Sequence, residues 1–147
     1  MRNVRALLNA GLLALVLVAG MRPALADDSL YKRLGGYDAL AAVTDDFIVR
    51  LATDKKLAKF FDGVSDEHKK RIRQLVVDQL CAATGGPCVY IGQDMKMVHK
   101  GLKITDEDWD AAVADFVATL NKFHVAKREQ DELGAALGKL KSDVVVK

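Results

Sequence analysis

The stretch YIGQDMKMVHKG, residues 90–101, decides which fold the chain adopts. It leads from a loop into a short predicted helix, in which Met95 precedes His99 by about one turn. A lone histidine on the apolar side of such a helix is either a hydrogen-bonded core residue or a metal ligand, because imidazole serves both purposes. The segment by itself leaves the two interpretations open.

The next segment contains the clearest helix signal in the chain. Thr105 is followed three residues later by Asp108, which predicts a variant capping box with aspartate in the place usually taken by glutamate. Apolar residues then recur at helical spacing, namely Trp109, Ala112, Val113, Phe116, Val117 and Leu120. The pattern predicts a helix with one buried face just after the histidine segment.

A second long helix is predicted before the histidine segment. It ends at Gly85-Gly86-Pro87, because glycine accepts left-handed geometry and proline cannot continue a helix. Its apolar stripe comprises Ile72, Leu75, Val76, Gln79, Leu80 and Ala83. His68 lies one turn earlier on the same side.

The remaining patterns are helical as well. Gly35-Gly36 separates a short first helix from a longer one, and a tight connection over 54–61 ends in Phe60-Phe61. The longer helix carries Leu40, Val43, Phe47 and Leu51, and the last helix carries Leu133, Ala136, Leu137, Leu140 and Val144. No run alternates apolar and β-branched residues with polar ones. We therefore predict an all-α fold with four substantial helices.

Residues 1–26 have the features of a cleaved secretory signal. Arg2 and Arg5 give a positive start, residues 6–20 are apolar except for one asparagine, and Ala24-Leu25-Ala26 is a small-x-small cleavage site. An anchoring transmembrane helix is the alternative, but the uncharged stretch is short for a span of about 20 apolar residues.

Cleavage after Ala26 leaves residues 27–147 as one exported domain without a stable membrane anchor. The expected compartment is the periplasm if the source has two membranes. The signal removes three arginines and no acid, so the formal net charge falls from +2 by three units to −1. A near-neutral surface disfavours nucleic acid as a partner.

The sequence lacks the common motifs of metal, phosphate and hydrolase sites, namely H-E-x-x-H, C-x-x-C, a glycine-rich phosphate loop and G-x-S-x-G.

Several short motifs occur together in one order. They are Leu30-Tyr31-x-x-Leu34-Gly35-Gly36, Phe60-Phe61, Gly85-Gly86-Pro87, Tyr90-x-Gly92-x-x-Met95-Lys96-x-x-His99 and Ile104-Thr105. Over residues 29–144 the chain resembles the group I truncated hemoglobins. The resemblance implies a two-over-two helical sandwich around heme b, with a truncated globin domain over 27–147.

The resemblance also assigns roles to individual residues. His99 matches the proximal iron ligand, which leaves the sixth iron position open for a gas. Phe61 matches the phenylalanine on the heme face, and Met95, Trp109 and Phe116 match residues that line the proximal side and the heme edge. Heme is expected to be non-covalent, since C-x-x-C-H is missing and residues 138–147 lack the histidine that some relatives use for attachment.

The sequence departs from the family on the distal side of the heme. Where the family usually has Phe-Tyr on the second helix, this chain has Phe47-Ile48, so a hydroxyl donor to the bound gas is missing. An apparent insertion after Phe61 makes the register of the next helix ambiguous. Counting back from the glycine turn places Ile72 and Val76 at the distal positions.

Counting forward from Phe61 instead places Lys69 and Arg73 at the distal positions. We prefer the apolar register, because an unpaired lysine buried over the heme is costly. Gln79 is then a possible polar donor one turn further along. His68 is a possible sixth ligand, with a heme propionate or solvent as its alternative partners.

Cys81 and Cys88 flank the glycine turn and are close enough in sequence to form a disulfide. Two buried thiols are the alternative. Export favours the disulfide, because disulfides persist in oxidising compartments.

These features predict reversible binding of a diatomic gas, oxygen above all and also NO or CO, in an oxygen-binding or oxygen-transport type of role. A heme-dependent NO dioxygenase or weak peroxidase is the enzymatic alternative, although the missing tyrosine and the lack of a reductase domain disfavour it. A heme-free helical interaction module with His99 in its core is the other alternative. An unidentified redox partner is a further possible partner.

Overall fold

The computed structural model describes residues 28–145, and the predicted signal segment lies outside this range. The elements are α1 (Leu30–Arg33), α2 (Gly36–Thr53), a 3₁₀ turn (Ala58–Phe61), α3 (Asp66–Ala83), α4 (Met95–Val98), α5 (Asp106–Lys122), α6 (Lys127–Gly138) and α7 (Lys141–Val144). Residues 28–145 contain no strand, as the sequence predicts. Within the same range no helix is both long and apolar enough to cross a membrane.

The core lies where α2, α3, α5 and α6 meet. Its buried members are Leu40, Val43, Leu80, Cys81, Phe116, Leu120 and Leu133. All of them except Cys81 belong to the stripes predicted from helical spacing. Phe47 and Val76 pack against this cluster but stay partly accessible. The four long helices thus share one apolar interior, whose edge carries side chains that are only half-buried.

The buried face of α3 differs from the predicted one. Val77 and Cys81 are fully buried, whereas Ile72 and Val76 are half-buried. The reason is that α3 packs on α2 through the face that carries Arg73, and Val77 and Cys81 follow Arg73 on that face at intervals of four residues. The Ile72 and Val76 stripe therefore flanks the packed face and keeps accessible apolar surface.

A half-buried carboxylate fixes α2 against α5. Asp46 accepts hydrogen bonds from Lys122 Nζ, from Arg50 Nε at 2.8 Å and from Thr119 Oγ1 at 3.0 Å. The hydrogen bonds from Lys122 and Arg50 hold the pKa of the Asp46 carboxyl at about 2. Because three partners on two helices meet at one carboxylate, the spacing of α2 and α5 is fixed at this point.

The last predicted helix is interrupted. It forms α6 and α7, with Lys139 and Leu140 between them. Leu133 and Val144 are nevertheless buried, one in each part, so both contribute to the apolar interior. The break lets α7 turn against α4, the short helix that leads into His99.

The structure joins Cys81 and Cys88 by a disulfide, with their Cα atoms 5.7 Å apart. Gly85 has a φ of 81°, which reverses the chain after α3. A Cβ atom on Gly86 would lie 2.6 Å from the Cys81 sulfur and 2.6 Å from the Tyr31 ring. The glycine pair therefore makes the turn and leaves room for the bridge. The loop that leads to α4 is covalently tied to the end of α3.

Replacing both cysteines by alanine is expected to lower the free energy of unfolding by about 2–3 kcal/mol, because the unfolded chain loses the constraint of a small closed loop. Urea unfolding of the oxidised protein and of the Cys81→Ala/Cys88→Ala variant measures the difference. Reduced wild-type protein serves as the control and should lose a similar amount. Equal midpoints for the oxidised protein and the variant would contradict this prediction.

Candidate functional site

The position of His99 is set by the start of α4. Asp94 is the N-cap residue, and its carboxylate accepts a hydrogen bond from the Met97 backbone N–H at 2.8 Å. The helix then makes little more than one turn, and His99 is its C-cap residue. Sequence analysis did not identify this cap, although an aspartate directly before Met95 is a recognisable signal for it.

The His99 ring is half-buried and oriented by the backbone. Its Nδ1 lies 2.8 Å from the Met95 carbonyl oxygen. A carbonyl oxygen can only accept a hydrogen bond, so this geometry places the proton on Nδ1. Nε2 then carries the free lone pair and is the atom able to bind a metal. A histidine held in this way fits the predicted proximal iron ligand.

Aromatic side chains from three elements provide apolar surface for a ligand. Phe47 on α2 meets Phe116 on α5 edge to face, with the ring centroids 5.0 Å apart. Phe116 is buried, whereas Phe47, Phe61 and Trp109 are half-buried. Rings that are neither fully covered nor fully exposed suit the faces of a large planar apolar group.

An ion pair links the element that carries Phe61 to the helix that carries Trp109. Lys59 Nζ lies 2.9 Å from an oxygen of Asp108, whose side chain is 6% exposed. The predicted capping box is complete: the Thr105 backbone N–H donates to the same carboxylate at 3.0 Å, and the Thr105 hydroxyl accepts from the Asp108 backbone N–H at 3.2 Å. The hydrogen bonds from Thr105 and Lys59 lower the pKa of Asp108. Sequence analysis did not predict this contact, because the residues are 49 positions apart.

The α3 residues named by the two possible registers face different directions. Arg73 makes two hydrogen bonds to the carboxylate of Asp45 on α2, at 2.7 and 2.9 Å. Its guanidinium holds the pKa of Asp45 below the usual range. Ile72, one residue earlier, is turned from Arg73 by about 100° around the helix. Ile72 thus keeps half-buried surface on a side of α3 turned away from this ion pair, whereas Val76, three residues after Arg73, lies only about 60° from it and packs against the core cluster.

Ile48 is half-buried and lines a surface depression between α2 and α3. Lys69 and Arg73 line the same depression. The structure therefore brings Ile48 next to the charged residues of α3, while Ile72 and Val76 lie on the adjacent side of that helix. The distal role of Ile48 stays a prediction.

The two polar candidates on α3 differ in exposure. Gln79 is half-buried and lies one turn beyond Val76. His68 is exposed in the first turn of α3, where its backbone N–H donates to the Ser65 hydroxyl at 3.2 Å. Their roles toward a bound gas also stay predictions.

Comparison with known proteins identifies the family of this chain. A family model for bacterial-like globins matches residues 29–146. A group 1 truncated hemoglobin of Mycolicibacterium paratuberculosis is 32% identical over 116 residues, which cover 79% of this chain and 83% of that protein. The chain is a group I truncated hemoglobin. Its family implies heme binding and a gaseous ligand.

Solved structures agree with this family. Truncated hemoglobin from Tetrahymena pyriformis in the Fe(III) form matches with a TM-score of 0.74 and 26% identity, over 81% of this chain and 99% of that one. The 2/2 hemoglobin of Synechococcus, solved in the cyanomet state with covalently attached heme, matches with a TM-score of 0.72 and 26% identity over 80% and 98% of the two chains. The predicted all-α two-over-two fold is confirmed.

The residues of this truncated hemoglobin fit a heme group. The described chain offers an imidazole at His99 and half-buried apolar rings on α2, the 3₁₀ turn and α5, which is the chemistry that a globin heme requires. In the described range, residues 28–145, no cluster of three or more His, Cys, Asp or Glu side chains could hold a bare metal ion.

Proposed function

We propose that this truncated hemoglobin binds heme b without a covalent link, through Nε2 of His99, and binds a diatomic gas on the opposite face. The hydrogen bond between His99 Nδ1 and the Met95 carbonyl carries the proposal. This hydrogen bond uses the proton on Nδ1 and leaves the lone pair of Nε2 available to bind iron. The bound heme supplies an iron with one open coordination position.

The side chains around the site serve two purposes, which are to cover the porphyrin and to line the gas-binding side. Met95, Phe61 and Trp109 bury the porphyrin and keep water from its faces. Ile72 and Val76 give the gas an apolar surface on the distal side. Non-covalent binding is supported by the absence of histidine from residues 138–147 and of the C-x-x-C-H motif.

Reversible binding of a diatomic gas is the role that this arrangement favours over catalysis. A dioxygenase needs a long-lived oxygen complex, and the second helix offers isoleucine at position 48 rather than a hydroxyl donor. A hydrogen bond to a polarised ligand is worth about 1.5–3 kcal/mol. Without it, oxygen is held weakly and the iron is easily oxidised.

The reduced heme-loaded protein is therefore expected to oxidise within minutes in air, while its carbon monoxide complex stays stable. Carbon monoxide depends little on a hydrogen-bond donor, so it serves as the control for intact heme. Absorption spectra taken over time in air and under carbon monoxide measure both properties. An oxygen complex that persists for hours would contradict an apolar distal side.

We also propose that the protein is exported and acts as the mature chain from Asp27 onward. The apolar segment with its Ala24-Leu25-Ala26 site supports export. The disulfide between Cys81 and Cys88 supports it as well, because such bonds persist in the periplasm and outside the cell. Intact-mass analysis of protein produced in a two-membrane bacterium should give a chain that begins at Asp27. Recovery of the full chain in the cytoplasm would contradict export.

A further inference from the structure

We propose that the outer side of α4 and the turn that follows it form the docking surface for an acidic protein that carries one electron. We call this region the lysine surface; it consists of Lys96, Lys100 and Lys103 around Met97 and Leu102. The inference rests on the proposed heme function, because the electron is delivered to the iron held by His99.

The three lysines of the lysine surface form no salt bridge within residues 28–145, and the nearest acidic residues in sequence, Asp94 and Asp106, lie at its two ends. All three lysines are exposed. Residues 95–105 contain no acidic side chain, although the mature chain is nearly neutral. A local excess of three positive charges therefore faces solvent and attracts an acidic partner.

The centre of the lysine surface is apolar. Met97 is 50% exposed and Leu102 is 41% exposed. An apolar centre with a charged rim is the arrangement found at specific protein interfaces, where the rim steers the encounter and the centre is desolvated. All charged residues of this rim are positive, so the partner surface is expected to carry carboxylates around an apolar patch.

The lysine surface lies near the proposed iron ligand, which suggests that the partner delivers an electron to the iron. Lys96 lies on α4 and Lys100 in the turn directly after it, on either side of His99 in sequence, so a protein docked on the lysine surface is close to the proposed iron ligand. Oxidised iron must gain one electron before it binds oxygen or carbon monoxide. The carrier loses that electron, and iron(III) becomes iron(II).

The chain offers no evident donor of its own for this electron. The two cysteines are already joined in the disulfide, and residues 28–145 contain no free thiol and no second metal cluster. The electron must therefore come from another molecule. A carrier protein is the class of donor that a charged surface of this kind selects.

The test uses the ferric heme-loaded protein and a reduced plant-type ferredoxin as an acidic carrier. We expect the second-order reduction rate to fall at least about tenfold in the Lys96→Glu/Lys100→Glu/Lys103→Glu variant at low salt. The wild-type rate should also fall several-fold between about 20 mM and about 300 mM salt. As a second readout, surface plasmon resonance with the immobilised protein should show ferredoxin binding that the variant loses.

The matched control is Lys55→Glu/Lys56→Glu/Lys70→Glu, since these lysines are also exposed and outside the ion pairs of the described range. It changes the net charge equally and should alter the rate less than about twofold. Equal losses in both variants, or binding of the lysine surface to vesicles of phosphatidylglycerol but not to ferredoxin, would overturn the proposal. The absorption spectrum after addition of dithionite and carbon monoxide distinguishes failure of the docking proposal from failure of the proposed function. If the protein shows no heme spectrum under these conditions, the proposed function itself is wrong.

Discussion

Replacing His99 by glycine is expected to abolish the globin spectrum of the heme-loaded protein. Among the described residues, His99 is the histidine whose ring Nδ1 is hydrogen-bonded to a backbone carbonyl, which leaves Nε2 available to iron. Its loss should weaken heme binding by more than about a hundredfold, because even outer partners of a metal ligand cost about 10–100-fold. Hemin titration followed by absorption spectroscopy measures this change.

Added imidazole provides the control for the His99→Gly variant. The glycine leaves space for a free imidazole, which should restore the spectrum of the reduced protein and its shift with carbon monoxide. Circular dichroism should show that the helices persist in the variant. A wild-type spectrum in His99→Gly without added imidazole would show that another residue binds the iron.

Replacing Ile48 by tyrosine is expected to slow oxygen dissociation by about ten- to a hundredfold, which corresponds to about 1.5–3 kcal/mol for one hydrogen bond to a polarised ligand. Oxidation in air should slow as well. Ile48 is half-buried on α2, at the position where the family usually has the tyrosine. Stopped-flow displacement of oxygen by carbon monoxide measures the dissociation rate.

The matched control is Ile48→Phe, which adds the ring without the hydroxyl and should leave oxygen dissociation within about threefold of wild type. Carbon monoxide binding should change little in either variant. If tyrosine and phenylalanine act alike, residue 48 faces the depression with Lys69 and Arg73 instead of the gas. The distal position would then belong to another residue of α2.

The helices of this protein could be predicted largely from local sequence. Three signals depend only on residues that are close in the chain. They are the helix end at Gly85-Gly86-Pro87, the Thr105–Asp108 capping box and the apolar stripe that ends in Leu120. The orientation of α3 could not be predicted in this way. Its packed face carries Arg73 as well as Val77, because the arginine is paired with Asp45 on α2. The spacing of apolar residues alone cannot identify a packed helix face that includes an ion-paired side chain such as Arg73.

The candidate site could be predicted in part. The motif around His99 and the resemblance that it carries predict a proximal ligand, but they do not give the hydrogen bond between His99 Nδ1 and the Met95 carbonyl oxygen. That detail requires a distance to a backbone carbonyl. The link between Lys59 and Asp108 joins residues far apart in sequence, so it required the fold.

The central claim is that one heme binds through His99 with an open position for a gas. Its most direct test is the absorption spectrum of the purified mature chain, titrated with hemin, then reduced and exposed to carbon monoxide. We expect saturation at one heme per chain and a sharp Soret band that shifts with carbon monoxide. Split low-spin bands in the reduced protein before gas is added would show an internal sixth ligand, with His68 as the first candidate. The absence of any specific Soret band would contradict heme binding and favour a heme-free helical module.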